Sequence, residues 1–408
     1  MDKINVSQPI YTPKESGNSR LAESASGKDT AFTKDAVSIG KKRDDLKLIS
    51  DPRKLFSISQ DNDKEVLNSL VSKITPKGPG EAADLELKPF EKMSEPIMKP
   101  SDTGFDSRNI YNMATIRENG VTYMLYRGED KSEPQGQITG RIGLATSKDG
   151  IHFEREDKPI IVPEYDYEKK GIEDPRLIKV KDTYYLTYTA YDGDKARLCM
   201  ATSNDLRNWQ KHGPLFPDFP ATGGWTKSGA ILPEKVKSGL FKDRYVMYFG
   251  DTNIWMAFSD DLLHWTPIMN PVIKTRGDKF DSNLVEPGPP PFYTKDGILM
   301  IYNSNGGDGG EHKNYNVGAV LFDKNDPTKI IARTDKPILS PTQDWEKHGY
   351  IDNVVFAEGM TVQNGKVDIY FGGADRYIGL AVAAVAPAMQ SPIAAGIVKT
   401  FNALGKAA

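Results

Sequence analysis

Arg141-Ile-Gly-Leu-Ala-Thr-Ser-Lys-Asp-Gly-Ile-His-Phe153 returns twice further along the chain. It reappears as Arg197-Leu-Cys-Met-Ala-Thr-Ser-Asn-Asp-Leu-Arg-Asn-Trp209 and as Ile254-Trp-Met-Ala-Phe-Ser-Asp-Asp-Leu-Leu-His-Trp265. Weaker echoes follow at Asn316-Val-Gly-Ala-Val-Leu-Phe-Asp323 and Tyr377-Ile-Gly-Leu-Ala-Val382, so the interval is 56 to 62 residues. A period of this order signals a propeller, solenoid or array. Each copy is rich in strand signals. The first reads Ile110–Arg117, a Glu118-Asn-Gly120 turn, Val121–Arg127, Arg141–Thr146 and His152–Arg155. Asn-Gly between apolar runs is a strong hairpin cue. Four strands per copy and five copies give an all-β fold, a five-bladed β-propeller whose central channel is a natural small-molecule site.

Outside the repeats the pattern changes. Residues 1–82 are rich in Ser, Lys, Asp and Gly and read as a mostly disordered or peripheral extension. Within them Asn62–Ile74 has apolar residues at helical spacing and predicts a short helix packed on the outside of the main domain. The propeller is expected over 83–385 and a carboxy-terminal tail over 386–408, with a short helix around 394–404. The fifth copy lacks an outer strand, and Leu85-Glu-Leu-Lys-Pro-Phe90, continuing to residue 92, is the expected donor.

Bulk composition excludes several classes. The chain has 408 residues with 53 basic and 56 acidic side chains, a net charge of −3, which gives no electrostatic reason to expect nucleic acid or an anionic membrane as partner. A single cysteine, Cys199, excludes an intrachain disulfide framework and reads as a core residue. No signal-peptide h-region and no 18-residue apolar run is visible, so the expected location is cytoplasmic, with non-classical export left open. The five histidines are scattered without metal spacing. Asn305-Gly-Gly-Asp-Gly-Gly310 lacks the Lys-Ser/Thr of a phosphate loop. Neither a metal nor a cofactor is expected, and the sequence does not set the oligomeric state.

The innermost strand of each blade lines the channel, and polar residues stand where those strands begin: Asn112, then Glu173 and Asp174, then Lys227 and Ser228, then Glu286, then Glu358. A second set follows the second strands: Arg127, Tyr188, Asp251, Asn303 and Asp375. Arg141, Arg176 and Asp281 complete the candidates. Glu358 interrupts the apolar run Val354-Val-Phe-Ala-Glu-Gly-Met360, and an acid there is either buried with partners or functional. Acids, amides and arginines converging on an aromatic-lined channel suit a sugar, whose hydroxyls need many oriented donors and acceptors. Asp281 reads equally well as a turn residue. Trp209 and Trp265 sit in outer, core-like positions, whereas Trp225 and Trp345 lie between copies and are free to act as core or as sugar platforms.

Gly171-Ile-Glu-Asp-Pro-Arg-Leu177, flanked by Arg141-Ile-Gly-Leu-Ala145 and Tyr185-Leu-Thr-Tyr-Thr-Ala190, resembles glycoside hydrolase family 130. So do Ile330-Ile-Ala-Arg-Thr-Asp-Lys-Pro-Ile-Leu339 and Asn353-Val-Val-Phe356, and the similarity spans about residues 105–385. The resemblance implies a five-bladed propeller acting on β-mannosides, either as a mannoside phosphorylase or, in another branch, as a hydrolase of β-1,2-mannosides. It implies Asp174 as proton donor, acting in the phosphorylases through a mannose hydroxyl. Asn112 matches a mannose-contacting amide, Arg127 and Arg141 sugar- or phosphate-side arginines, and Asp375 an acid that binds sugar hydroxyls. Phosphorylases carry a His-Arg pair after the second strand of blade three, where this chain has Tyr248-Phe-Gly-Asp251. Phosphate wants cationic forks, so an Asp there, with Glu286 and Glu358, follows the hydrolase branch. The expectation is therefore an inverting β-mannosidase with a β-mannoside oligosaccharide as partner, Asp174 as acid and Glu286 or Glu358 as base. The alternatives are a mannoside phosphorylase and a non-catalytic glycan-binding propeller.

Overall fold

In the computed structural model, residues 63–134, 137–306 and 314–384 are described. The expectations for residues 1–62 and for the tail beyond 384 lie outside them. The fold is all-β and propeller-like, with four four-stranded antiparallel sheets and one of seven strands. Sheet one comprises Asn109–Glu118, Val121–Glu129, Arg141–Ser147 and Glu154–Arg155. Sheet two comprises Gly171–Val180, Thr183–Tyr191, Ala196–Ser203 and Gln210–Pro214. Sheet three is built from Ala230–Ile231, Tyr245–Phe249, Trp255–Ser259 and Thr266–Pro267. Sheet four contains Leu284–Pro287, Ile298–Gly306, Asn314–Phe322 and Ile330–Arg333. Sheet five contains Val355–Gln363, Lys366–Gly373, Tyr377–Ala384 and Glu91–Lys92.

The repeated motif is the third strand of a sheet plus the turn that follows it. In the first three sheets a serine hydroxyl accepts the N–H three residues on: Ser147 from Gly150 at 2.9 Å, Ser203 from Leu206 at 3.0 Å, Ser259 from Leu262 at 2.9 Å. The carboxylates of Asp149, Asp205 and Asp261 cap the same turns. Trp209 and Trp265 each donate their indole N–H to the leucine carbonyl of their own turn. These side chain-to-backbone bonds hold the turn without a ladder, which is why the string recurs nearly unchanged.

Apolar residues fill the spaces between sheets. One cluster joins sheets one and two through Leu125, Leu144, Ile172 and Leu186. Others join sheets two and three through Leu198, Met200, Met247 and Phe249, and sheets three and four through Tyr248, Met256, Met300 and Phe322. Sheets four and five meet through Leu299, Leu321, Ile369 and Phe371. Tyr370, Ile378, Met113 and Met124 bring sheet five back to sheet one. Each fully buried side chain of this size contributes about 1.5–3 kcal/mol, so the inter-sheet seams carry most of the cohesion.

The amino-terminal approach to the ring departs from expectation in two places. Only residues 63–68 of the expected helix are helical; Val71–Thr75 is a strand pairing with Ala83–Leu87. That hairpin attaches to sheet four, Ala83–Leu87 running parallel to Ile330–Arg333, with Leu70 and Leu85 buried in the cluster between sheets four and five. The expected boundary at 82/83 thus falls inside a hairpin. The Leu85 strand pairs with sheet four and not with sheet five. The two-residue strand Glu91–Lys92 joins sheet five, pairing with Ala381 and Val382. The Lys92 ammonium, 2.5 Å from the buried Glu346 carboxylate, pins it there.

Candidate active site

Inner strands begin with broken ladders. Asn112 has φ 43°, Asp174 φ 48° and Ser228 φ 58°. The ladder register shifts across Tyr111/Met113, across Glu173/Arg176 and across Ala357/Gly359. The displaced residues are Asn112, Asp174 with Pro175, and Glu358. A bulge re-aims a side chain and interrupts pairing, and Pro175 has no N–H for the ladder to lose. Left-handed backbone at a non-glycine residue costs of order 1–3 kcal/mol and is retained where the surroundings over-determine it. Gly171 serves the same region: its backbone (φ 147°) lies so close to Gly140 that a Cβ would stand 2.7 Å from the Gly140 nitrogen.

The bulges gather charge. Lys227 Nζ lies 3.0 Å from Asp174 Oδ2 and 3.1 Å from Glu286 Oε1. The Ser228 hydroxyl donates a short hydrogen bond to the same Glu286 oxygen. Arg176, 1% exposed, pairs with Glu358 Oε1 at 2.9 Å and donates to the carbonyls of Asp174, Pro287 and Gly288. Asn112 donates to Glu358 Oε1 at 2.9 Å. Arg127 spans Glu129 at 2.8 Å and Glu173 at 3.0 Å and lies over the Tyr111 ring. Arg127 Nε and Glu358 Oε2 are buried without a hydrogen-bond partner among the described residues, as polar groups left for a ligand are.

The electrostatics divide these acids. Burial pushes Glu358 well above the ordinary glutamate value, with Arg176 only partly opposing it. Burial likewise raises Glu286 against Lys227, and Glu173 against Arg127, with the Asp174 charge adding to both. Burial also acts on Asp174, but Lys227, Arg176 and Arg127 together outweigh it and hold Asp174 below the ordinary aspartate value. Asp375 is pushed up to about 7, chiefly by burial, with Arg127 opposing. Lys227 is held well above its ordinary value by Asp174 and Glu286 despite burial. Cations thus hold the charge on Asp174, while burial works against charge on Glu173, Glu286 and Glu358.

The structure brings Asn112, Arg127, Glu173, Asp174, Arg176, Lys227, Glu286 and Glu358 together. The Asp251 charge acts on Lys227 and Glu286, and Asp375 senses Arg127, Asp174 and Lys227, so both border the cluster. Four candidates are engaged elsewhere. Tyr188 is buried between sheets one and two, donating to Glu168. Asp281 is buried in an ion-pair knot with Arg276 and Arg333 and accepts from Tyr302. Asn303 bonds the N–H and carbonyl of Ala357, so it aligns the backbone beside Glu358. Arg141 is paired with Glu133 at 2.6 Å. Sequence reasoning missed Glu129, which accepts from Asn109, Tyr111 and Arg127. Its position two residues after Arg127 on one strand, hence on the same face, was the available signal. Among the described residues no group of three or more side chains is placed to hold a metal ion, and no helix is long and apolar enough to cross a membrane.

A propeller-like fold with buried carboxylates and cations at bulged inner strands defines a carbohydrate-active class. The chain belongs to glycoside hydrolase family 130: the family model, described as β-1,4-mannooligosaccharide phosphorylase, matches residues 89–391. A 1,2-β-oligomannan phosphorylase of Thermoanaerobacter sp. (strain X514) is 38% identical over 298 residues, covering 71% of this chain and 94% of the relative. A solved structure from the glycoside hydrolases of this family that target β-1,2 mannosidic linkages in Candida mannan is 34% identical, covers 77% of this chain and 99% of its own, and superposes with TM-score 0.67. The β-1,2-mannobiose phosphorylase of Listeria innocua, solved with β-1,2-mannobiose, is 25% identical, covers 78% of this chain and 95% of its own, with TM-score 0.60.

Proposed function

We propose that the chain is a five-bladed propeller, the seven-stranded sheet serving as its fourth blade, that removes β-linked mannose from oligosaccharides by hydrolysis with inversion, with β-1,2 the linkage. The observation that carries hydrolysis is the charge inventory of the cluster. Its cations are Arg127, Arg176 and Lys227, and each is already paired with a carboxylate. Around them stand Glu129, Glu173, Asp174, Glu286 and Glu358, with Asp251 and Asp375 at the border. A phosphate dianion entering here finds no unpaired cationic fork, which its recognition wants, and meets the charges held on Asp174 and Glu129. Water, which needs only a carboxylate to accept its proton, meets no such barrier.

In this reading the Glu286 carboxylate takes the proton of a water as its oxygen bonds to the anomeric carbon and the glycosidic bond breaks. The departing oxygen takes a proton from a mannose hydroxyl, which takes one from Asp174. The ion pairs on Lys227 place the nearest oxygens of Asp174 and Glu286 no further apart than the sum of the two contacts. That is short of the roughly 6.5–9.5 Å of a carboxyl pair that flanks the scissile bond directly in inversion. A relay through a sugar hydroxyl removes that requirement. It also asks that the sugar draw Lys227 away from Asp174, so that burial rather than the ammonium sets its proton affinity. Glu286 is preferred to Glu358 as base because it shares Lys227 with Asp174, whereas Arg176 and Asn112 both hold Glu358 through its Oε1.

The second reading is phosphorolysis, favoured by the names of the Thermoanaerobacter and Listeria relatives. Incubation of β-1,2-mannobiose with and without phosphate separates the two. Hydrolysis gives mannose alone, released first as the α-anomer, at a rate phosphate does not change. Mannose 1-phosphate, or no turnover without phosphate, would establish phosphorolysis instead.

A further inference from the structure

Trp225 is the most exposed tryptophan among the described residues, at 36%. The others are packed: Trp255 and Trp265 are buried, Trp209 lies against the core of sheets one and two, and Trp345 stacks on Phe371 with its indole N–H on the Ser94 carbonyl. Trp225 is nonetheless firmly held. Its indole N–H donates to Asp251 Oδ2 at 3.2 Å, Tyr191 meets its ring edge-on with centroids 6.4 Å apart, and its own backbone N–H and carbonyl both bond Thr222. Part of a large aromatic ring is thus left open to water in a fixed orientation. Fixed, half-open aromatic rings are what sugar faces stack on, since their rigidity keeps the entropy cost of binding low.

Its location gives the surface a use. Trp225 precedes Lys227 by two residues, and Lys227 bridges Asp174 and Glu286. The Gly250 N–H donates to the Lys227 carbonyl at 2.8 Å, so Asp251 and the indole it holds stand beside that lysine. Asp251, which holds the indole, accepts no second side-chain hydrogen bond among the described residues, and its charge reaches Lys227 and Glu286.

We propose that Trp225, with Asp251, forms a second sugar subsite, holding the pyranose next to the one whose bond is cut: the ring stacks on the indole while a hydroxyl donates to the Asp251 carboxylate. This rests on the reading of the cluster as a β-mannoside site. It makes the preferred substrate an oligosaccharide and not a mannoside with a small leaving group.

The test compares Trp225→Ala and Trp225→Phe with the wild-type enzyme on β-1,2-mannobiose and on β-mannosyl fluoride, which has no second ring. The loss of kcat/KM in Trp225→Ala on the disaccharide should exceed its loss on the fluoride by about tenfold, the size of one good aromatic contact, and Trp225→Phe should recover most of the difference. Equal losses on both substrates, or no loss on the disaccharide, overturn the subsite. Calorimetric titration with mannobiose and mannose, carried out on the Asp174→Asn protein, reads the subsite without chemistry. Asp174→Asn should prefer the disaccharide, and Asp174→Asn with Trp225→Ala should lose that preference; a preference that survives the second substitution overturns the proposal. Failure of the wild-type enzyme to cleave mannobiose would count against the proposed reaction, and the titration would still decide the subsite.

Discussion

Arg176 of sheet two reaches Glu358 of sheet five at 2.9 Å, and both side chains are essentially inaccessible to solvent. None of the apolar clusters joins these two sheets, so the pair links sheets that share no hydrophobic seam. The same guanidinium takes carbonyls from Pro287 and Gly288 of the segment that begins sheet four. One side chain thereby ties three sheets beneath the carboxylates at the centre.

Arg176→Met should therefore destabilise the fold by about 3–5 kcal/mol, the usual result of leaving one charge of a buried pair uncompensated. Adding Glu358→Gln should recover part of the loss, because the stranded charge disappears. Urea denaturation of the single and double variants measures both. A single-variant loss below about 1 kcal/mol, the scale of a surface pair, would show that the contact does not hold the ring.

Asp174→Asn should lower kcat by about 10²–10⁴-fold, the range of general acid–base assistance, with the circular dichroism spectrum unchanged. Its partner Lys227 would lose one of two carboxylates, and its proton affinity should fall toward the ordinary lysine value. Retention of more than about a tenth of wild-type turnover, outside that range, would remove Asp174 from the reaction.

Glu286→Gln should match the Asp174→Asn loss, and Glu358→Gln should cost less in turnover than in stability. In Glu286→Ala, azide should restore activity and yield the inverted glycosyl azide, because a small anion replaces the activated water. Rescue in Glu358→Ala and not in Glu286→Ala would transfer the base role to Glu358.

Asp375 supplies a pH signature. Its folded value is about 7 against an ordinary 3.8, so between those values the native state binds more protons than the unfolded chain. Stability from this group is greatest below about pH 4 and is lost as pH rises through about 7. Relative to Asp375→Asn, the wild-type protein should lose thermal stability progressively from pH 4 to 7 and no further above. A constant offset between the two melting profiles would show that Asp375 does not titrate there.

Much of the site could be read from residue order because polar inner-strand positions interrupt apolar runs. Asn112, Asp174, Glu286 and Glu358 each stand out as a polar residue where a strand should be hydrophobic. Tyr188 and Asn303, named from the ends of second strands, and Asp281, which read equally well as a turn residue, are held by buried partners. A polar side chain facing a channel and one satisfied by a buried partner look alike in sequence, and the partners of Asp281 lie at Arg276, Tyr302 and Arg333 on other segments. Glu129 was passed over because its partners Tyr111 and Asn109 are across the hairpin. The segment up to Ile74 read as helix because Val71 and Ile74 stand three apart; a register shift between Val71 and Lys73 absorbs the odd residue, and only pairing with Ala83–Leu87 decides it. Side-chain period is a local property; pairing is not.

The two-residue strand Glu91–Lys92 also sets a timetable. It is made early in synthesis, yet its partner Tyr377–Ala384 is the last described strand to leave the ribosome. Glu358 and Asp375 arrive with that final sheet, after Asp174, Lys227 and Glu286 are already in place. Until then Arg176 lacks its carboxylate and the cluster stands open on one side. The nascent chain thus carries its chemistry unassembled until the ends of the ring meet, and competence arrives in a single late event.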